Sequence, residues 1–281
     1  MDKTIAILMT VHDRKEKTLA CLSTLFQCKF SFGYKIYVFL VNDGCADGTE
    51  KAVIEQFPQV NIIQGDGNLY WNRGMFLAWK TAVTVLDFDY YVWLNDDVVL
   101  YENALGDLIQ SSEQLNNLAI VCGTTCATNN SNKITYGGRV RKLGIVKPNR
   151  ELQQCDCCNG QLCLIPRYVY KKMGMNDPIF HHGFGDWDYG FRAKKKGIDI
   201  WVAPFVSGVC DENSNDEFPA YLNPTYPLAK RLKILYSPLG KNPYQSFVYT
   251  YRHNSLISAV ITYVMLHVNI VFPFKFKTNK E

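Results

Sequence analysis

The sequence lacks the marks of several common protein classes. No glycine falls between Ile5 and Lys17, directly after the first apolar run. That excludes the glycine-rich, basic phosphate loop a sugar-nucleotide pyrophosphorylase needs there. It also excludes the G-x-G-x-x-G turn of a dinucleotide-binding dehydrogenase. The opening MDKTIAILMT carries an apolar run of about five residues, short of the ~7–15 of an export signal. Neither sign of charge dominates. Thirty Lys and Arg against 26 Asp and Glu leave a net charge of +4, too little to argue for a nucleic-acid partner. There is no internal repeat and no low-complexity tract. With 47% hydrophobic and 20% charged residues, disorder and coiled coil do not describe the whole chain.

What is present suits a folded chain. Its 281 residues suffice for one large α/β domain or two small ones. Aromatics reach 14%, as expected of a thick core, a sugar-stacking face or a membrane-facing surface. Ten cysteines would suit a disulfide scaffold. Without an export signal they are expected as reduced thiols of a cytoplasmic protein. Cys155, Cys157, Cys158 and Cys163 cluster, but not with the paired C-x-x-C spacing of common zinc sites. Free thiols are the expectation there.

Strand and helix patterns alternate over the first hundred residues. Ile5–Met9, Ile36–Val41, Val60–Ile63 and Tyr90–Leu94 are apolar runs of strand length, the mark of strands buried on both faces. Helical patterns follow around Leu19–Phe26, after Asp47-Gly48-Thr49, over Arg73–Leu86 and over Glu102–Leu115. Such alternation predicts a mainly parallel central sheet with helices on both faces. The second half reads less regularly. Strands are expected at 119–124, 135–140, 161–165 and 198–202, and helices at 167–173 and 189–196. The domain boundary is expected at 243/244, with a nucleotide-binding half over 1–100 and an acceptor-binding half over 101–243. The extension 244–281 is aromatic and apolar. Its segment 255–274 holds Ser258, Thr262, His267, Asn269 and Pro273, which argues against a spanning helix and leaves a core helix or an interfacial one.

In open α/β sheets ligands bind beyond the carboxyl ends of the strands, so polar residues there are the candidates. Asp96 and Asp97 are adjacent carboxylates at a strand end. They repel unless a positive group sits beside them, and a divalent cation, or solvation at a helix N-terminus, would relieve that. Asp43 follows the second strand and suits hydrogen bonds from a nucleobase or ribose; a turn residue is the alternative. Asp186, framed by glycines and next to Trp187, opens a helix. It reads either as a cap or as a general base beside a sugar-binding face.

Taken in order, IAILMTVHDR, FLVNDGCADGT, WLNDDV and HHGFGDWDYGFRAKKKG resemble the inverting family 2 glycosyltransferases of the GT-A fold over residues 3–210, with a bacterial rhamnosyltransferase-like flavour. Asn42-Asp43-Gly44 stands for that family's D-D-G-S, Asn95-Asp96-Asp97 for its metal motif and Gly185-Asp186 for its E-D base motif, without the Glu. The resemblance implies Thr10 and Asp43 at the nucleobase, Asn68 and Arg73 at the donor, Asp96 at the ribose or diphosphate, and Asp97 at a Mn²⁺ or Mg²⁺ ion. His182 and Asp211 are further metal candidates. Asp186 would be the base, with Asp188 as rival. The implied partners are a UDP- or dTDP-sugar and a saccharide or lipid-linked acceptor of bacterial surface-polysaccharide synthesis. The setting would be the cytoplasm or the inner face of the membrane. A pyrophosphorylase-like nucleotidyltransferase and a non-catalytic glycan-binding protein are the alternatives. The first wants a phosphate loop, and the second has no need of four carboxylates.

Overall fold

The structure, a computed structural model, describes residues 2–30, 33–141, 143–212 and 219–272. The chain divides into two compact units, Met1–Glu212 and Asn213–Glu281.

In the first unit the order is β1 (Lys3–Val11), α1 (Lys15–Gln27), β2 (Tyr34–Asn42), α2 (Thr49–Gln56), β3 (Asn61–Gln64), α3 (Tyr70–Val85), β4 (Tyr90–Leu94), β5 (Val99–Leu100) and α4 (Ala104–Gln114). There follow β6 (Ile120–Ala127), β7 (Asn130–Tyr136), β8 (Gly138–Val140), β9 (Gly144–Ile145), β10 (Gln153–Cys155), β11 (Cys157–Cys158), β12 (Leu162–Pro166), α5 (Arg167–Met173), α6 (Gly185–Lys195) and β13 (Ile200–Val209). The main sheet has the order β10-β13-β6-β12-β4-β1-β2-β3, with β5 on β13 and β7 on β6. Strands β4, β1, β2 and β3 are mutually parallel, and β13 is parallel to β6. Strand β12 runs antiparallel to both its neighbours, β4 and β6.

Alternation along the strands sends successive side chains to opposite faces. Ile5, Ile7 and Met9, with Tyr90, Val92 and Leu94, pack against Leu22 and Leu25 of α1, Val53 of α2 and Leu105 and Leu108 of α4. Ala6 and Leu8, with Tyr91 and Trp93, pack against Met75 and Trp79 of α3, Val169 of α5 and Tyr189 of α6. Trp79 is ringed by Tyr91, Trp93, Tyr170 and Tyr189 at centroid distances of 5.3–5.9 Å. Fully burying a side chain such as Trp79 stabilises the fold by about 1.5–3 kcal/mol through area alone.

Three elements depart from the expected reading. The 135–140 stretch is not one strand: Tyr136 pairs with β6, while β8 leaves the main sheet to form a three-stranded sheet with β9 and β11. Helix α3 starts at Tyr70, because the Asp43 carboxylate accepts its first amide and draws the turn in. Helix α6 starts at Gly185, four residues before the expected Tyr189.

In the second unit a 3₁₀ turn (Ala220–Leu222) precedes α7 (Leu228–Tyr236), α8 (Pro243–His253) and α9 (Leu256–Val271). The expected boundary at 243/244 falls at the start of α8. Asn242 caps α8 by accepting from the amides of Tyr244 and Gln245, and Ser255 caps α9 by accepting from Ser258. Leu235, Leu266 and Ile270 form a small core with Tyr221 and Leu232. Among the described residues no helix is long and apolar enough to cross a membrane.

Candidate active site

Strands β1, β2 and β4 run the same way, so their carboxyl ends open on one edge of the sheet. There His12-Asp13-Arg14, Asp43-Gly44 and Asn95-Asp96-Asp97 follow the last paired residues. The loops are tied together. His12 Nδ1 donates to the Asp43 carbonyl (2.6 Å), Ala46 N to Asp13 Oδ1 (2.7 Å) and Lys15 N to Asp47 Oδ2 (2.8 Å). Asp13, Tyr70 and Phe184 all adopt left-handed backbone, with φ of 49°, 54° and 70°. Non-glycine residues are held there only when their surroundings enforce it, as functional sites often do.

Asp43 is buried. Its Oδ1 accepts from Gly67 N, and its Oδ2 from Leu69 N and Tyr70 N, all at 2.9 Å. Three of the carboxylate's roughly four lone-pair positions are thus taken up in shaping the 67–70 loop and starting α3. Asn68 sits in this loop, and its carbonyl accepts from His181 Nε2. Thr10, near the end of β1, lies against Gly74 of α3. A Cβ there would come within 2.2 Å of the Thr10 hydroxyl, so glycine lets α3 approach this edge. Arg73 donates from Nε to the Pro178 carbonyl (3.0 Å). It joins α3 to the segment that leads to Asp186.

Asp96 and Asp97 are bridged by Arg14. Its Nη1 lies 3.2 Å from Asp96 Oδ1 and 3.0 Å from Asp97 Oδ2. Asp96 Oδ2 is buried without a hydrogen-bond partner. Burial pushes the Asp96 carboxyl up to about 7; the Arg14 charge opposes this rise and the Asp97 charge adds to it. The Cys210 thiol lies 3.6 Å from Asp97 Oδ1. Two adjacent carboxylates, one oxygen of which is orphaned, make a hard oxygen donor set of the kind a divalent cation takes.

Asp186 is half-buried at the first turn of α6. Gly160 N donates to its Oδ2 (3.0 Å) and Trp187 N to its Oδ1 (2.8 Å). Burial pushes it up to about 7, against the effect of those amides. The Trp187 side chain beside it is exposed. Asp188 is fully buried and paired with Arg192 Nε at 2.7 Å.

The structure links Asp186 to the β4 edge. Asn95 N donates to the Gln161 carbonyl (2.9 Å), one residue from the Gly160 amide that holds Asp186. Asn95 Oδ1 also accepts from the Trp71 indole (2.7 Å). His182 is exposed, and its ring sits 6.1 Å from that of Tyr70. Asp211 follows Cys210, but its two carboxylate oxygens accept from the Thr128 amide and hydroxyl (2.8 Å each). Among the described residues, no three of Asp96, Asp97, His182 and Asp211 bring ligand atoms within 4.8 Å of one another.

Several residues of the site escape the sequence reading. Asn72, fully buried in α3, donates to the carbonyls of Asp177 and Phe180 (both 2.8 Å) and accepts from Asn176 Nδ2 (2.8 Å). A Cβ at Gly185 would stand 1.8 Å from its Oδ1, so Asn72 also dictates the glycine ahead of Asp186. Its signal was a polar residue on the apolar stripe that carries Met75 and Trp79. Arg14 lies in the polar stretch that follows β1, already a candidate strand end, but its role as partner of Asp96 and Asp97 was not legible there. The sequence cluster of cysteines gains Cys122 from β6. Cys122, Cys158 and Cys163 have sulfurs within 4.8 Å of one another, all ten thiols are free, and Cys163 donates to the Asn159 carbonyl.

The family model for glycosyl transferase family 2 matches residues 6–174. The chain belongs to that family. A search of curated proteins finds no match. Among solved structures the chain is similar to the mannosyltransferase PcManGT from Pyrobaculum calidifontis in complex with GDP-Man and Mn²⁺. The TM-score is 0.55 at 15% identity, over 97% of this chain and 76% of that one. The mixed, mostly parallel sheet and this likeness establish the GT-A fold.

Proposed function

We propose that the protein is an inverting glycosyltransferase that moves a sugar from a nucleoside diphosphate donor to a hydroxyl of a saccharide or lipid-linked saccharide. The observation that carries this reading is the short hydrogen-bonded path from Asp186 through Gly160 and Gln161 to Asn95 and the Asp96–Asp97 pair. It ties a carboxylate of raised pKa to the strand end that carries the acidic pair.

Asp186 is the general base. With a pKa near 7 it takes the acceptor's proton efficiently around neutral pH. One carboxylate and a single displacement suffice, and inversion follows. Asp188 is structural, because its charge is taken up by Arg192. Asp97 and Asp96 would hold Mn²⁺ or Mg²⁺; when bound, such an ion offsets the charge developing on the diphosphate. The Asp43-shaped loop, with Thr10, Asn68 and Arg73, forms the donor's seat. The donor would be a UDP- or dTDP-sugar and the role bacterial surface-polysaccharide synthesis, as in the rhamnosyltransferase-like enzymes its motifs resemble.

The second unit suits a peripheral place on the inner face of the membrane. Residues 213–281 carry eight Lys and Arg against three Asp and Glu. Ile257, Ile261, Val264 and Val268 of α9 are exposed at helical spacing. Apolar surface flanked by cations favours an anionic bilayer. Full-length protein should sediment with anionic vesicles and release from them in high salt. Indifference to vesicles would end this part of the reading.

The test of the main reading is a donor screen by nucleoside diphosphate release, with UDP-, dTDP- and GDP-sugars and Mn²⁺ or Mg²⁺. Turnover with one sugar nucleotide, lost on Asp186→Asn, is expected. Release from none of them, together with no nucleotide binding by calorimetry, would refute it.

A further inference from the structure

We infer that Arg14 is the resident counter-ion of the Asp96–Asp97 pair and gives up that place when a divalent cation enters. The inference rests on the glycosyl-transfer reading and adds to it a means of coupling cation entry to donor binding. It starts from charge. The side chains of Asp96 and Asp97 are each only 8% exposed. Two carboxylates so placed are unstable together unless compensated. A single nitrogen, Arg14 Nη1, supplies the compensation by reaching one oxygen of each. A cation held by the same two carboxylates would stand a few ångströms from the guanidinium and repel it, so the two compete for the pair.

The arrangement is incomplete in a way that favours exchange. Asp96 Oδ2 stays buried and unpartnered while Arg14 is in place. A guanidinium leaves that oxygen unmatched, whereas a hard cation that gathers several oxygens can use it.

Arg14 is also built to leave. Its side chain is 38% exposed. Its structural duty lies in the backbone: the Arg14 carbonyl accepts from Thr18 N (2.9 Å) and Thr18 Oγ1 (3.0 Å) and so starts α1. The guanidinium can therefore swing away without unwinding the helix. A displaced guanidinium at this edge meets the donor's diphosphate, whose oxygens its planar fork fits in pairs. Arg14 would then help hold the donor only after the cation has arrived.

The test uses the full-length protein without nucleotide, titrated with Mn²⁺ alone and followed by the electron paramagnetic resonance of free Mn²⁺. Wild type is compared with Arg14→Ala and Arg14→Lys. Both variants keep the backbone carbonyl, and the lysine keeps a positive charge if the alanine fails to fold. Arg14→Ala should bind Mn²⁺ on the order of tenfold more tightly than wild type, since a competing charge is gone. It should melt lower without Mn²⁺ and gain more from adding it. Arg14→Lys should fall between. With Mn²⁺ present, nucleoside diphosphate should bind Arg14→Ala more weakly than wild type. Equal or weaker Mn²⁺ binding by both variants would overturn the inference. So would nucleoside diphosphate binding to wild type with no uptake of Mn²⁺, because Arg14 would then be a permanent counter-ion. If no nucleoside diphosphate binds at all, the glycosyl-transfer reading fails, and the Mn²⁺ comparison still decides the exchange by itself.

Discussion

Replacing Asp186 by Asn should stabilise the protein above neutral pH while nearly stopping transfer. Burial raises this carboxyl from 3.8 to about 7. The folded state therefore holds the proton more tightly than the unfolded chain. The sign follows: this group's contribution to stability is fully present below about pH 4, is lost as pH rises, and has gone by about pH 7. About three pKa units at ~1.4 kcal/mol each amount to ~4 kcal/mol of ionisation cost at pH 8. Asn carries no charge, so that cost disappears. Its single oxygen can serve only one of the two amides, Gly160 N and Trp187 N, and the other loses an acceptor. That loss is worth about 1–3 kcal/mol. The net expectation is a gain of about 1–3 kcal/mol at pH 8, and at pH 4 a loss of about 1–3 kcal/mol. Urea unfolding at the two pH values measures it. Turnover at saturating donor and acceptor should fall ~10²–10⁴-fold, and wild-type kcat/KM should climb through about pH 7 as the base ionises. A variant that is destabilised equally at both pH values and still turns over would show that Asp186 is neither raised in pKa nor the base.

Asp188→Asn is the companion control. It removes the fully buried charge that pairs with the partly exposed Arg192, so stability should drop by about 1–3 kcal/mol while turnover per folded molecule holds; a dead enzyme of unchanged melting temperature would reverse the two assignments. Asp97→Asn should keep the fold and lower transfer on the order of 10²-fold, as should EDTA on wild type, with rescue by Mn²⁺ or Mg²⁺; full activity in EDTA would contradict a cation at this pair. Asp43→Ala strips the acceptor from three amides and should lower both the melting temperature and nucleotide affinity, the latter by about 1–3 kcal/mol. Calorimetry showing unaltered affinity would reduce Asp43 to a loop-shaping residue.

Much of the frame was legible because the governing interactions are local. Apolar runs such as Ile5–Met9 and Tyr90–Leu94 become β1 and β4 because a strand covered on both faces tolerates no polar residue. The polar residues that stop those runs lie at the edge where ligands bind in such sheets. Asp186 was visible for a related reason, since a carboxylate at a helix start is a local electrostatic choice. The reversal of β12 between β4 and β6 was not legible. Leu162–Pro166 has the same buried composition whichever way it runs, and only its neighbours decide. The departure of β8 into a second sheet is of the same kind.

The sequence by itself determined that alternating strands and helices would bury two apolar faces, and that carboxylates would collect at the ends of the strands. Burial and periodicity are properties of neighbours in the chain. What those carboxylates meet was decided only in three dimensions. Asp43 spans 24 to 27 residues to shape a loop, Arg14 reaches across 82 and 83 residues to bridge Asp96 and Asp97, and Asn72 reaches across 108 to the Phe180 carbonyl ahead of Asp186. No period or motif encodes such partners, because a hydrogen bond or ion pair depends on where two side chains arrive, and arrival is set by the packing of the whole sheet and its helices.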